Sequence, residues 1–199
     1  QAQARWREYD RQEAERKAAE EEEKRRAAMQ RKIQRLLGQS GIKRRFQQRT
    51  FPKFRQDTAG RAKNYRIAKE YADNFALHRA RGDGLYIEGT NGTGKTHLAA
   101  AIALQLINEG IPVICKTSSD LLLDIKKSFD GEGARESEVL DIYKRVDLLI
   151  IDDLGKEQCS DWSMSTLYSI LNDRYEDMKP TIVTTNYNAD NLDRALNTR

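Results

Sequence analysis

Eight consecutive residues carry the strongest chemical signal in the chain: Gly89-Thr90-Asn91-Gly92-Thr93-Gly94-Lys95-Thr96, a complete G-x-x-x-x-G-K-[ST]. Triphosphate oxygens need many converging donors. Glycines let the backbone curl so that successive N–H groups point inward, and a following helix adds the partial positive charge of its N-terminus. Lys95 then reaches the β- and γ-phosphates of ATP or ADP, and the Thr96 hydroxyl ligates Mg²⁺. A second signal is Val146-Asp147-Leu148-Leu149-Ile150-Ile151-Asp152-Asp153, an apolar run that ends in two carboxylates. After an isolated strand such an Asp is ordinarily a turn or capping residue. Behind a phosphate loop, Asp152 is read as holding the Mg²⁺ shell through water, and Asp153 as orienting or deprotonating an attacking water. A third run ends Thr184-Thr185-Asn186. The Asn186 amide has two readings there, aligning water against the γ-phosphate or closing a turn.

These groups must be positioned by a regular frame, and the pattern of apolar runs supplies one. Short apolar runs at 85–88, 112–116, 147–152 and 181–184 alternate with helical segments at 95–108, 120–129, 135–145 and 161–178. Apolar strands that alternate with helices predict an α/β fold with a parallel sheet covered on both faces. A further helix is predicted over 59–80, with Ile67, Ala68, Tyr71, Phe75 and Leu77 on its apolar side.

The first 37 residues contain no Gly or Pro and consist mainly of Gln, Ala, Arg, Glu and Lys, all good helix formers. Their apolar positions, Trp6, Tyr9, Met29, Ile33, Leu36 and Leu37, are too sparse to bury a full face. A solvated helical arm is therefore expected over 1–41. A basic connector follows over 42–58, and the nucleotide-binding domain over 59–199. The chain opens at Gln1, already in helical sequence, which suggests that a module precedes it.

Charge is segregated along these parts. Residues 1–23 carry 5 basic and 8 acidic side chains, residues 24–69 carry 16 and 1, and residues 70–199 carry 14 and 22. The formal net charge of +4 thus conceals a belt of net +15 between two acidic regions. Such a belt points to a polyanionic partner. Within it, Phe46, Phe51 and Phe54 alternate with Lys43, Arg44, Arg45, Arg49, Lys53 and Arg55. Stacking on unpaired bases is one reading of these aromatics, and packing on the adjacent domain is the favoured one.

Composition excludes several classes. Two cysteines, Cys115 and Cys159, are too few for a disulfide framework or a four-ligand zinc site. No apolar run approaches the roughly 20 residues of a membrane span, and no signal-peptide pattern opens the chain, so a cytoplasmic location is expected. His78 and His97 have no metal-binding partner at useful spacing, and Cys115 reads as a small core residue.

The order of parts, a phosphate loop, an inserted helical pair, an apolar-Asp-Asp run and Thr-Thr-Asn, resembles the AAA+ ATPases. Within them it resembles the bacterial and phage helicase-loader family (DnaC/DnaI-like), to which the transposition ATPase IstB is related. The likeness extends to Ser40-Gly41-Ile42, Arg45-Phe46, Thr50-Phe51 and Phe54, and to Lys95-Thr96-His97-Leu98-Ala99 and Asp152-Asp153-Leu154-Gly155.

The resemblance implies an ATPase with weak or partner-dependent hydrolysis. It implies a loader that binds a hexameric replicative DNA helicase, self-associates through AAA+ subunit interfaces and delivers the helicase onto single-stranded DNA. It further implies that the arm belongs to, or leads from, a helicase-binding module, and that Thr50-Phe51 lies near the adenine. The inserted helix would bring Lys126, Lys127 and Phe129 to a channel that grips single-stranded DNA. The alternative is an IstB-like regulator that coats duplex DNA and binds a transposase, and a small-molecule kinase is the outside choice.

Two departures stand out. The family's water-activating acid is often Glu, one methylene longer than Asp153. The expected arginine finger, fifth strand and helical lid lie beyond Arg199, so the chain as given is expected to hold nucleotide incompletely and hydrolyse it poorly. Arg174 reads either as a group reaching a neighbouring subunit's nucleotide or as a surface ion pair.

Overall fold

A computed structural model describes residues 2–128, 136–155 and 160–188. Its first element is a single long helix, α1 (Ala2–Gln39), as the unbroken run of helix formers predicts. Thr58 then caps α2 (Ala59–Asp73) by accepting the Arg61 N–H, and α3 (Phe75–Arg81) follows. The helix predicted over 59–80 is thus two helices, broken at Asn74. The break changes which residues are covered. Ala68, Tyr71, Ala72 and Phe75 are buried, whereas the expected core residues Ile67 and Leu77 face solvent.

The remaining elements alternate as expected: β1 (Leu85–Glu88), α4 (Lys95–Asn108), β2 (Val113–Thr117), α5 (Ser118–Lys127), α6 (Glu136–Arg145), β3 (Leu148–Leu154), α7 (Asp161–Glu176) and β4 (Thr181–Thr185). Local capping chemistry places several of the helix starts. Thr117 accepts the Asp120 N–H at α5, and Ser160 and Ser163 form a reciprocal capping box at α7.

The four strands are parallel in the order β1-β4-β3-β2. Alternate residues of β3 feed two separate cores. Leu148 and Ile150 join α2, α3, α4 and the last turns of α1, while Leu149 and Ile151 join α5, α6 and α7. This is a three-layer helix–sheet–helix arrangement. The edge strand β1 alone carries exposed residues, Tyr86 and Glu88, whereas the residues of the other three strands are buried or half-buried. Among the described residues, no helix is long and apolar enough to cross a membrane.

The arm is anchored at its C-terminal end, where Ile33, Leu36 and Leu37 pack on the first core. The connector then runs along the outer edge of β2. The Ser40 carbonyl accepts the Cys115 N–H at 2.7 Å, and Gly41 takes φ 76°. A Cβ at Gly41 would lie 2.8 Å from Lys116 Cγ and 3.1 Å from the Cys115 carbonyl oxygen, so only glycine permits this approach.

Candidate nucleotide site

The loop from Gly89 to Gly94 leaves β1 at its carboxyl end and runs into the N-terminus of α4. Parallel α/β sheets place ligand crevices at this end of their strands. Gly94 closes the loop with φ 100°, and an added Cβ would lie 2.7 Å from Phe54 Cε2. The turn therefore requires glycine for both its backbone angle and its packing.

The connector aromatics brace this corner. Phe51 and Phe54 are buried, both stack on or abut Tyr65, and Phe54 meets His97 edge-on with centroids 5.2 Å apart. His97 Nε2 lies 2.9 Å from the Thr50 carbonyl oxygen. The favoured packing reading of these aromatics holds, and His97 ties the connector to α4.

The Lys95 ammonium is largely buried and donates to the carbonyls of Gly89 at 2.7 Å and Thr90 at 3.0 Å. It also donates to Asn186 Oδ1 at 2.9 Å, which joins the phosphate loop to the end of β4. Thr96 Oγ1 donates to Asp152 Oδ1 at 3.0 Å, which joins α4 to the end of β3. Residues from three separate sequence motifs thus converge at one place.

Asp152 is buried, and burial pushes its carboxyl above the usual range. Hydrogen bonds from Thr184 and Thr96 oppose that shift, Asp153 adds to it and Lys95 opposes it. A desolvated carboxylate of this kind gains most from a cation. Its hard oxygen donors, with the Thr96 hydroxyl beside them, suit Mg²⁺ completed by water and phosphate oxygens. Among the described residues there is no cluster of three or more His, Cys, Asp or Glu side chains able to hold a metal alone.

Asp153 follows with φ 63°, an uncommon backbone angle for a non-glycine residue. It shares a cavity of about 310 Å³ with Asn91, Gly92, Gly94, Lys95, Thr96, Phe46 and Arg49. Thr93 Oγ1 donates to the Thr90 carbonyl at 2.9 Å, and Arg61 donates to the Gly92 carbonyl at 3.2 Å. The Arg61 contact has no local sequence signal, since 31 positions separate the partners.

Other expected groups lie elsewhere. Lys126 and Lys127 are exposed at the far end of α5. A ten-residue helix puts them about 15 Å from the Thr117 end that borders the site. Phe129 and Arg199 lie outside the described residues. A cavity of about 710 Å³ is also remote from the phosphate loop, between the end of α1, the start of β2, and α5 and α6. The Cys115 thiol is pushed up to about 12, by burial and then by the Asp152 charge, as befits a packing residue rather than a nucleophile.

Both sequence readings of Arg174 are overturned. It is fully buried and donates to the carbonyls of Tyr143, Lys144, Val146 and Pro180 and to Thr181 Oγ1, at 2.5–3.1 Å. It clamps the amino ends of β3 and β4 and reaches neither solvent nor a neighbouring subunit.

A family model described as IstB-like ATP binding protein matches residues 8–198. The chain belongs to this family. It is 32% identical to the replicative helicase loader DnaC of Escherichia coli K12 over 168 residues, covering 84% of this chain and 67% of that protein. Its fold superimposes on a crystal structure of the DnaC helicase loader with a TM-score of 0.69 and 26% identity, over 77% of this chain and 90% of that one. A structure of AMPPCP-bound DnaA from Aquifex aeolicus matches with a TM-score of 0.63 and 26% identity, over 72% of this chain and 44% of that one. The chain is thus a DnaC-like member of an ATP-binding AAA+ family, with IstB as a relative.

Proposed function

We propose that this chain is a replicative helicase loader whose grip on helicase and DNA is timed by Mg²⁺-ATP. The observation that carries the nucleotide half is the convergence of Lys95, Thr96, Asp152 and Asn186 at the carboxyl ends of the strands. In this reading the backbone from Gly89 to Gly94 cradles the phosphates and Lys95 exchanges its carbonyl partners for phosphate oxygens. Thr96 and Asp152 hold Mg²⁺, which neutralises charge developing on the β- and γ-phosphates. Asp153 orients the attacking water, and its short side chain suits slow turnover.

The loader half is supported by the similarity to DnaC, which covers most of the chain. The arm α1, exposed over residues 16–32, then faces the helicase, and subunits associate through their nucleotide sites. Lys126 and Lys127 contact single-stranded DNA, with the connector cations Lys43, Arg44 and Arg45 as the competing surface.

The decisive experiment has two arms. Lys95→Ala is expected to weaken ATP binding by about a hundredfold, and retained affinity would overturn the nucleotide site. The chain is expected to co-purify with the hexameric replicative helicase of its host, and deletion of the arm should abolish the complex. Filaments on duplex DNA without helicase affinity would instead establish the IstB-like reading. Neutralising Lys126 and Lys127 should flatten the salt dependence of single-strand binding more than neutralising Lys43, Arg44 and Arg45.

A further inference from the structure

Thr184 lies two residues before Asn186 and is fully buried at the end of β4. Its hydroxyl donates to Asp152 Oδ1 at 2.5 Å and accepts the Asp153 N–H at 2.9 Å. A hydroxyl has one proton and two lone pairs, so the direction of both bonds is fixed. The amide hydrogen occupies a lone pair, and the proton goes to the carboxylate.

The register of the sheet breaks at this point. Ile151 is opposite Val183 and Leu154 is opposite Thr185, so β3 takes three steps where β4 takes two. Asp152 and Asp153 therefore face Thr184 alone, in a bulge. Bulges re-aim side chains beside functional sites. Here the bulge sends Asp152 toward the Thr96 hydroxyl and leaves Asp153 lining the cavity of the phosphate loop. Asp152 Oδ1 receives protons from both sides, from Thr96 on α4 and Thr184 on β4, and this fixes the rotation of the carboxylate.

We propose that Thr184 is the positioning residue of the Mg²⁺-nucleotide site: one hydroxyl locks the Asp152 carboxylate and the Asp153 backbone into a single unit. It touches neither metal nor nucleotide and acts through the two acids. The inference rests on the nucleotide reading above. A valine at this position has nearly the same shape and the same preference for a strand. It would leave the Asp153 N–H without this acceptor and Asp152 with one hydroxyl donor fewer.

The test measures binding of a fluorescent ATP analogue to the full chain, in Mg²⁺ and in EDTA. The variants are Thr184→Val and Thr184→Ser, with thermal unfolding followed in parallel. Thr184→Val is expected to bind within twofold of wild type in EDTA but to lose about tenfold of the affinity gained from Mg²⁺. Thr184→Ser, which keeps the hydroxyl, should recover that gain to within threefold. Manganese titrated as a paramagnetic substitute should show the same ranking by electron paramagnetic resonance.

An undiminished Mg²⁺ gain in Thr184→Val overturns the inference. So does an equal loss in EDTA, which marks a purely structural role, or a failure of serine to rescue. Should Thr184→Val not fold, Thr184→Ala against Thr184→Ser makes the same comparison. If wild type and Lys95→Ala are alike in binding no nucleotide, the nucleotide reading itself fails and this inference falls with it. Wild-type binding with an unaltered valine variant removes only the role of Thr184.

Discussion

Arg174 and Asp152 are buried charges at opposite ends of one sheet, and they are satisfied in different ways. The guanidinium spends its donors on four backbone carbonyls and one hydroxyl, gathered from the α6–β3 junction and the start of β4. Those acceptors belong to packed backbone at the amino ends of the strands, and the Pro180 carbonyl also accepts the Leu149 N–H. The carboxylate is held by two hydroxyls and lies beside a lysine whose own partners are loop carbonyls and an amide. The Thr96 hydroxyl and the Lys95 ammonium can turn from these partners to ligand oxygens, while Thr184 keeps the carboxylate in place. The Arg174 end is a clamp, and the Asp152 end has the exchangeable partners that the proposed cation and phosphates require. Burial of charge does not by itself mark a functional site; the freedom of its partners does.

The contrast is most exposed to failure at Arg174. Arg174→Ala should destabilise the fold by about 3 kcal/mol or more, because several buried carbonyls lose their donor together. Urea unfolding measures this, and the folded fraction should keep its ATP affinity. A loss of affinity without loss of stability would make Arg174 part of the site after all.

At the other end, Gly94→Ala forces a Cβ against Phe54 at a left-handed backbone angle. A destabilisation of about 1–2 kcal/mol is expected, together with weakened nucleotide binding. Pairing it with Phe54→Ala should recover part of the stability, and simple additivity would refute the contact as the cause.

Asp152→Asn keeps an oxygen for Thr96 and Thr184 but removes the buried charge. Without nucleotide it should be neutral or more stable by up to about 1 kcal/mol, while its response to Mg²⁺ is lost. Destabilisation would mean that Asp152 is as fixed a clamp as Arg174. The smallest effect is expected at Lys43, whose pair with Asp120 at 2.8 Å is largely solvent-exposed. Lys43→Ala should alter stability by less than about 0.5 kcal/mol. A larger change in thermal unfolding would show that the connector depends on this ion pair rather than on Ser40, Gly41 and its aromatics.

Much of the site is legible in the chain because its parts are local. The phosphate loop is one contiguous motif, the strand starts and ends are off by no more than two residues, and Asp152 ends an unmistakably apolar run. What escapes the sequence depends on partners far apart in it. Arg174 looks like any helix-surface arginine until its acceptors are collected from two other segments. Thr184 sits in a motif whose asparagine draws the eye, and its meaning depends on a bulge that no periodicity encodes. The break at Asn74 follows the same logic, because the composition of 59–80 is helical on both sides of it.

The manner in which α1 is rooted has a mechanical consequence. Its anchoring contacts begin near Met29, whose side chain approaches Gly110, and end at Leu37. The preceding 27 residues of helix, from Ala2 to Ala28, extend about 40 Å beyond that root. The root is joined through Ser40 to the outer edge of β2, two residues before the threonine that borders the nucleotide cleft. Such a helix is a lever with its fulcrum at the sheet edge. A tilt of about 10° at the fulcrum sweeps the far tip through about 7 Å, enough to turn a small shift beside the cleft into a change of register against whatever the tip holds.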